Sequence, residues 1–396
     1  MKHCKDCEPA QELHWVAYTS VVVGWLSQPF YNFMDLLFRN VAEAVSNRVT
    51  LPFLKICILL GLGHWNYKPE EKNSLRAKCF WEEAIRRGIN MKEFRMGPIG
   101  EIFLAEYRGR TITFDGLPRP EGGESDAMNW MDNKGIMKEK FMKEGIPVAQ
   151  GGVAYRTKTA LKIFDRIRKP VITKPNLGSR SRHTMIHLNT KEDLLMGFRK
   201  AKKLSPFVIV EEELNGYLFR GTLIGGKLAG VVRRDQPEVV GDGVTTLRDL
   251  WKKENERPLR KGPIFHEIVI DEEAEKELHR QGITMDDIPA KGKTVYFSQK
   301  TSRGCGGTTK EVTPIVHPDN IEMLEHVARY LGDPLVGVDF ILEDITKSWK
   351  EEQHSGIIEC NSLPFIDLHH YVMFGEPNNV AGKLWDLVMP DSKPKS

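Results

Sequence analysis

A carboxylate and an amide stand two residues apart in the stretch SGIIECNSLPFIDLHH, residues 355–370. Glu359 and Asn361 follow an apolar run that is typical of a buried strand, and side chains at i and i+2 of a strand point to one face of the sheet. Two neighbouring oxygen donors suit Mg²⁺. The alternative is a strand that surfaces into a turn before Pro364, and a motif this short does not separate the two interpretations.

A third oxygen donor, Asp339, lies within the apolar stretch PLVGVDFILED, residues 334–344. A buried carboxylate is unfavourable unless it is paired or binds a metal. In the simplest arrangement this stretch and the one that carries Glu359 and Asn361 are antiparallel neighbours joined by a charged loop. The sequence therefore predicts that these three side chains form a Mg²⁺ site with open positions for substrate phosphates.

A lysine at a strand end offers a complementary cation. Lys174 ends the apolar run VITK and precedes a loop that contains Gly178, Ser179 and Ser181. Such a small-residue loop suits contact with phosphates, because backbone N–H groups can approach the anion. The sequence does not contain the P-loop pattern G-x-x-x-x-G-K-[ST]. The alternative is a solvated surface lysine.

Three consecutive acids, Glu211, Glu212 and Glu213, follow the apolar run FVIV at residues 207–210. One interpretation is a solvated strand edge. The other is a hinge whose backbone and one carboxylate contact an adenine base.

The segment YLFRGTLIGGKLAGVVRR, residues 217–234, predicts a β-hairpin that turns at its central Gly-Gly pair. Counting outward from the turn places Arg220 opposite Val231. Arg220 and Arg233 then share one face, with Arg234 on the other. Two guanidinium groups on one face repel each other unless an anion lies between them. The alternative is two independently solvated arginines.

The order of these motifs resembles the ATP-grasp ligases, the superfamily of D-alanine–D-alanine ligase and glutathione synthetase. The motifs are Asp132-x-Lys134, GIPV, KP with its small-residue loop, VIVEE…NG, GVD and IIECNSLP. The middle of the chain is similar to the ATP-grasp region of cyanophycin synthetase. The segments that carry this closer similarity are RRDQPEVVGDGVTTLRDL at 233–250, GCGGTTKEVT at 304–313 and VHP at 316–318. The resemblance covers residues 130 to 392 or so.

The resemblance implies an α/β (α+β) ATP-grasp fold, with the nucleotide between two α+β subdomains and a pre-ATP-grasp α/β domain before them. The units expected are a helical region at 1–50, the pre-ATP-grasp domain at 51–128, and the N- and C-terminal subdomains at 129–206 and 207–392.

The resemblance also implies roles for individual residues. ATP phosphates would be contacted by Lys134, Lys174 and the loop with Gly178 and Ser179, and the adenine by the hinge acids. Mg²⁺ would be held by the three oxygen donors near the carboxyl end. Two departures from the family pattern are the Ser-Arg-Ser-Arg sequence of the phosphate loop and Leu218, which stands where relatives often carry an acid near the ribose.

The implied substrate contacts come from two arginines and two glycines. Arg220 and Arg233 would bind a substrate carboxylate or steady an acyl phosphate. Gly306 and Gly307 would let backbone N–H groups approach that intermediate.

The implied activity is ATP-dependent ligation of a carboxylate to an amine, through an acyl phosphate, with release of ADP and phosphate. Amino acids or peptides are the expected substrates, and relatives indicate a homodimer or homotetramer. The alternative is a non-catalytic nucleotide-binding protein with a regulatory or scaffold role, which the unusual phosphate loop favours.

Composition and the first residues set the remaining expectations. The net charge is +3, too small to indicate a nucleic-acid partner. The cysteines are scattered, which favours a reducing cytoplasm. The CxxC pair of Cys4 and Cys7 cannot by itself complete a tetrahedral zinc site.

Two apolar segments of the first 63 residues allow different predictions. Residues 15–34 carry no formal charge but are interrupted by polar residues and Pro29. We expect an amphipathic helical region packed on the body or on a partner subunit, with membrane-surface attachment as the alternative. The run LPFLKICILLGLG at 51–63 predicts a strand.

Overall fold

The computed structural model describes residues 4, 7, 13–97, 99–120, 125–178 and 182–394, with the backbone alone described for residues 28–49 and 99. The helices of this part of the chain are α1 His14–Leu59, α2 Leu75–Arg86, α3 Lys134–Lys143, α4 Thr157–Phe164, α5 Lys191–Ala201, α6 Leu247–Asn255, α7 Glu272–Arg280, α8 Pro318–Leu331, α9 Asp367–His370 and α10 Val380–Val388.

The strands of the described residues form antiparallel sheets in the orders β1-β2-β3-β4, β5-β8-β6-β7, β13-β10-β9-β14-β15 and β11-β12. Their bounds are β1 His64–Asn66, β2 Asn90–Met96, β3 Ile99–Tyr107, β4 Arg110–Asp115, β5 Gly151–Ala154, β6 Val171–Pro175, β7 Met185–Leu188, β8 Val208–Glu212, β9 Tyr217–Ile224, β10 Lys227–Asp235, β11 Glu238–Val240, β12 Thr294–Tyr296, β13 Thr308–Glu311, β14 Leu335–Leu342 and β15 Gly356–Asn361.

The predicted strand at 51–63 is wrong, because helix α1 continues through this run to Leu59. A short apolar run fits a buried strand and a buried helix equally well by periodicity alone. Here Leu54 and Cys57, three residues apart on one helical face, pack against Phe94 of β2. Helix α1 therefore crosses the expected boundary at residue 50.

The first part of α1 also packs on the body of the protein. Trp25 lies against Phe207, with ring centroids 5.8 Å apart. The side chains of residues 28–49 lie outside the described part, so the predicted amphipathic face is visible only at its two ends. Within the described residues, no helix is both long enough and apolar enough to cross a bilayer.

The first sheet, β1–β4, is covered by α2. Ser74 caps this helix by accepting a hydrogen bond from the N–H of Ala77. Helix α10 joins the same core, where Trp385 stacks on Phe80 at a centroid distance of 4.2 Å and also contacts Phe114 of β4. The hairpin of β3 and β4 turns at Arg108 and Gly109, both of which have positive φ.

The remaining sheets form two α+β lobes and a small inserted unit. Helices α4 and α5 pack on the β5-β8-β6-β7 sheet around a core that includes Phe164 and Phe198. Helix α8 packs on the five-stranded sheet, where Phe219 and Phe340 stack 5.5 Å apart. Helices α6 and α7 enclose a separate core with the β11-β12 ribbon. The two lobes bring β6, β8, β9, β14 and β15 around one polar site.

The hairpin of β9 and β10 departs from the predicted register at a β-bulge between Leu228 and Gly230. The extra residue moves Arg220 from the predicted partner Val231 to Val232. Because a one-residue shift transfers every later side chain to the other face of a sheet, Arg234 now shares the face of Arg220.

The prediction that Arg233 lies beside Arg220 is therefore wrong. Arg233 is paired with Phe219, whose side chain belongs to the core on the opposite face of the sheet.

Candidate active site

Three oxygen donors meet on one face of the β14–β15 pair. The strands are antiparallel, with Asp339 opposite Glu359 and Gly337 opposite Asn361. Directly opposite residues share a face, and so do residues two apart. The amide of Asn361, oriented to suit both neighbours, donates to Glu359 Oε1 at 3.3 Å and accepts from Arg220 Nη2 at 3.1 Å. The adjacency predicted from sequence is confirmed.

Arg220 lies at the centre of this set. It projects from β9 directly opposite Asp339. Its Nη2 donates to Asp339 Oδ2 at 2.8 Å, and its Nε donates to the other carboxylate oxygen. Burial alone would raise the pKa of Asp339, but the charge and hydrogen bonds of Arg220 outweigh it and hold that pKa below its usual range. Asp339 therefore stays ionised at neutral pH.

Arg234 is a cation that sequence analysis assigned to the wrong face. Its Nη1 lies 3.8 Å from Asp339 Oδ2. Burial lowers its pKa, Asp339 opposes that effect, and nearby Arg220 adds to it. Two guanidinium groups held so close favour an anion between them.

The donor set fits a hard divalent cation. Two carboxylates and an amide oxygen from adjacent strands are ligands that Mg²⁺ accepts, with its other positions left for water or phosphate. Both oxygens of Asp339 accept hydrogen bonds from Arg220, so Glu359 is the more available ligand. Its side chain is 21% exposed.

Lys134 links these side chains to the loop after β6, the predicted phosphate loop. It is the first residue of α3, whose N-cap Asn133 accepts from the N–H of Ile136. The buried ammonium lies 3.5 Å from Glu359 Oε2 and donates to the carbonyl of Gly178 at 2.8 Å. The loop after β6 and the end of β15 therefore meet at one cation.

A second cationic centre surrounds Glu211. Lys174 Nζ lies 2.7 Å from Glu211 Oε1, and Lys138 pairs with the other oxygen. Burial would raise the pKa of Glu211, but the two lysines outweigh it and lower the pKa. Sequence analysis did not select Lys138. Its position four residues after Lys134, on the same helical face, was the available signal.

Burial also lowers the pKa of Lys138 to about 8, although Glu211 opposes the shift. The pKa of Lys138 is thus lower in the folded than in the unfolded chain. Above about pH 8 the unfolded chain therefore binds more protons than the folded one, and stability rises with pH. Between roughly pH 7.5 and 9.5, we expect the free energy of unfolding of the wild type to rise by about 2 kcal/mol more than that of Lys138→Gln. Urea unfolding of both proteins at each pH measures it.

The matched control is Lys158→Gln, which removes an exposed lysine from α4. Its stability difference from the wild type should stay flat over the same pH range. An equally flat difference for Lys138→Gln would contradict the assigned shift.

No family model matches the chain. It is 32% identical over 263 residues to cyanophycin synthetase of Geminocystis herdmanii, covering 65% of this chain and 30% of the relative. It is 27% identical over 338 residues to the glutathione biosynthesis bifunctional protein of Clostridium perfringens, covering 82% of this chain and 43% of the relative.

The crystal structure of a bifunctional glutathione synthetase from Pasteurella multocida superposes with a TM-score of 0.60 at 21% identity, over 81% of this chain and 44% of that one. The chain has the ATP-grasp fold. The predicted resemblance to ATP-grasp ligases and the predicted α+β architecture are confirmed. The chain spans less than half the length of each of these relatives.

The three acids predicted to form an adenine hinge all have partners within the protein. Glu212 accepts from the N–H of Gln150 at 3.0 Å and pairs with Arg168 at 3.3 Å. Glu213 pairs with His187 Nδ1 at 2.7 Å. With Glu211 held by its lysines, none of the three carboxylates is free to contact a base in the conformation described. Ser179 of the predicted phosphate loop lies outside the described residues.

Arg233 lies away from the oxygen donors of the ATP-grasp site. Its guanidinium pairs with Asp235 at 2.8 Å and lies over the ring of Tyr217, 4.3 Å from the centroid. These contacts satisfy Arg233 on the face opposite to Arg220. The conformation described gives it no part in the site.

The backbone N–H groups of the two glycines predicted to contact an intermediate form hydrogen bonds within a turn in this conformation. The N–H of Gly306 donates to Arg303 O at 3.3 Å, and that of Gly307 donates to Ser302 O at 3.0 Å. Gly306 has a φ of +86°, and a Cβ on Gly307 would lie 2.8 Å from the backbone of Thr301. Both positions therefore require glycine for the turn itself.

Proposed function

We propose that this protein is an ATP-dependent carboxylate–amine ligase that forms an amide bond on an amino acid or peptide and releases ADP and phosphate. The observation that carries the proposal is the convergence of Asp339, Glu359 and Asn361 with the ammonium of Lys134 and the guanidinium of Arg220. Oxygen donors for a divalent cation and cations for phosphate oxygens are what phosphoryl transfer requires of a protein. The similarity to cyanophycin synthetase and to the glutathione biosynthesis protein supports the ligase class.

Mg²⁺ held by Glu359, Asn361 and Asp339 would neutralise charge on the nucleotide phosphates. Lys134 lies beside the same carboxylate and would contact phosphate oxygens from the other side. Lys174 and Lys138 would hold the nucleotide only if their shared partner Glu211 releases part of its contact. The chain's contribution is mainly positioning and charge neutralisation.

Arg220 and Arg234 would bind the substrate carboxylate and then the acyl phosphate. Both guanidinium groups lie on the face that carries the oxygen donors, next to Asp339. Transfer of the γ-phosphoryl group from ATP to the substrate carboxylate places additional negative charge on the acyl phosphate. Prearranged hydrogen-bond donors stabilise such charge. The amine then attacks the carbonyl carbon, the C–O bond to phosphate breaks, and the amine proton leaves to solvent or phosphate.

The register shift gives a paired test of this assignment. Arg234→Gln should lower turnover by about 10- to 100-fold, because it removes one of the two cations that face the reacting phosphate. Arg233→Gln should change turnover by less than about threefold, because that side chain lies on the opposite face. Steady-state ADP release at saturating ATP distinguishes the two. A larger loss of turnover in Arg233→Gln than in Arg234→Gln would contradict the assignment of Arg234 to the site.

The activity is tested by screening amino acids and dipeptides, in pairs, for ADP release and for the mass of a condensed product. Release of ADP that depends on both an acid and an amine supports the proposal. Nucleotide binding without turnover for any pair would instead support the regulatory or scaffold alternative, which the Ser-Arg-Ser-Arg loop favours. A cytoplasmic location and a homodimer or homotetramer remain part of this proposal.

A further inference from the structure

Four potential metal ligands from distant parts of the chain meet away from the proposed catalytic site. They are Cys4, Cys7, His14 and His183, and their ligand atoms all lie within 4.8 Å of one another. Cys7 and His183 are fully buried. The first three precede or begin α1, whereas His183 lies between β6 and β7.

Three sulfur-to-nitrogen distances in this group match the S···N edges of a zinc tetrahedron. Cys7 Sγ lies 3.4 Å from the Nε2 atoms of both His14 and His183, and Cys4 Sγ lies 3.6 Å from His183 Nε2. Zn–S and Zn–N bonds of ordinary length give an S···N edge of about 3.5 Å in a tetrahedral site. The imidazole rings of His14 and His183 lie with centroids 4.8 Å apart and are nearly perpendicular, at 87°.

The hydrogen bonding of His183 gives an independent indication. Its Nδ1 lies 2.9 Å from the carbonyl oxygen of Lys200. A carbonyl only accepts, so Nδ1 carries the proton and Nε2 presents its lone pair to the two sulfurs. This is how a backbone carbonyl fixes the tautomer of a zinc-bound histidine. His183 also has a φ of +53°, in the left-handed region that is uncommon for non-glycine residues.

We propose that Cys4, Cys7, His14 and His183 bind one Zn²⁺ ion in a closed tetrahedral site. Two thiolates and two imidazoles are a common structural zinc set, and four protein ligands leave no open position for catalysis. The ion fastens the start of α1 to the segment that follows the phosphate loop. The two ligands that the CxxC pair lacks are thus His14, seven residues after Cys7, and His183, which the fold brings from a distant part of the chain.

The metal content of the full-length protein, with any affinity tag removed, tests the site directly. We expect about one zinc per chain by inductively coupled plasma mass spectrometry after dialysis. The Co²⁺-substituted protein should show the visible bands of tetrahedral cobalt together with a thiolate-to-cobalt charge-transfer band. Zinc close to zero, or a Cys4–Cys7 disulfide in the peptide mass map, would overturn the proposal.

Variants locate the ion on these residues. Cys7→Ser and His183→Asn should each lower retained zinc at least about tenfold. The matched controls are Cys57→Ala, in the core beneath α1, and His279→Asn, exposed on α7, and both should keep full zinc. Retention of zinc by Cys7→Ser would place the metal elsewhere.

A measurement on the wild type keeps the test valid if the variants fail to fold. Removal of zinc with a strong chelator should expose two additional thiols to Ellman's reagent and lower the melting temperature, and re-added zinc should reverse both. Chelation that changes neither quantity contradicts the site. None of these readouts depends on turnover, so the zinc site and the ligase activity are tested separately.

Discussion

Glu359→Gln should lower amide formation by about 10²- to 10³-fold while the protein stays folded. Glu359 is the most available carboxylate of the donor set, since both oxygens of Asp339 accept from Arg220. Glutamine keeps the size of the side chain but removes the charge that attracts Mg²⁺ and faces Lys134 at 3.5 Å. The side chain is partly exposed, so its replacement should change stability little. ADP release as a function of Mg²⁺ concentration measures the effect.

The control for this substitution is Glu351→Gln, the same chemical change at an exposed position in the loop between β14 and β15. It should leave both turnover and the Mg²⁺ dependence unchanged. In Glu359→Gln the concentration of Mg²⁺ needed for half-maximal rate should rise together with the loss of rate. Wild-type turnover by Glu359→Gln at low Mg²⁺ would remove this carboxylate from the metal site.

The second large effect is expected from Glu211→Gln, which should lower the free energy of unfolding by about 3–5 kcal/mol. Glu211 is fully buried and is the shared partner of Lys138 and Lys174. Without its carboxylate, two ammonium groups remain buried side by side with a neutral amide between them. Urea unfolding at neutral pH measures the loss.

Two further variants show whether the buried charges cause this loss. Glu139→Gln makes the same substitution in an exposed pair with Lys143, also near Lys138 on α3, and should change stability by less than about 0.5 kcal/mol. The double variant Lys138→Met with Glu211→Gln should regain part of the lost stability, because one of the two uncompensated charges is gone. A double variant less stable than Glu211→Gln alone would point to lost packing.

The sequence predicted the oxygen donors well because their arrangement depends on local rules. The two-residue alternation along β15 fixes Glu359 and Asn361 on one face. The antiparallel pairing of two strands joined by the loop at 343–355 brings Asp339 opposite Glu359. Both rules operate over a short stretch of chain, and no information from distant segments is needed.

The sequence failed where an irregularity or a distant partner decides the outcome. The single residue added by the bulge in β10 exchanged Arg233 for Arg234 at the site, and Gly230, an isolated glycine within the strand, was the available signal. His14 and His183 complete the ligand set of Cys4 and Cys7, but 169 positions separate the two histidines in the sequence. The apolar run at 51–63 fits two periodicities, and only contact with β2 selects the helix.

The stacking of Trp385 on Phe80 makes the first sheet a unit that is discontinuous in sequence. The indole N–H of Trp385 also donates to the carbonyl of Phe80 at 3.1 Å, so α10 is fixed to α2 by both packing and a hydrogen bond. During translation the face of the Phe80 ring that Trp385 covers therefore stays open until residues 380–388 have left the ribosome. This core is completed only by a much later part of the chain, and a cut near residue 128 would separate two halves of one core.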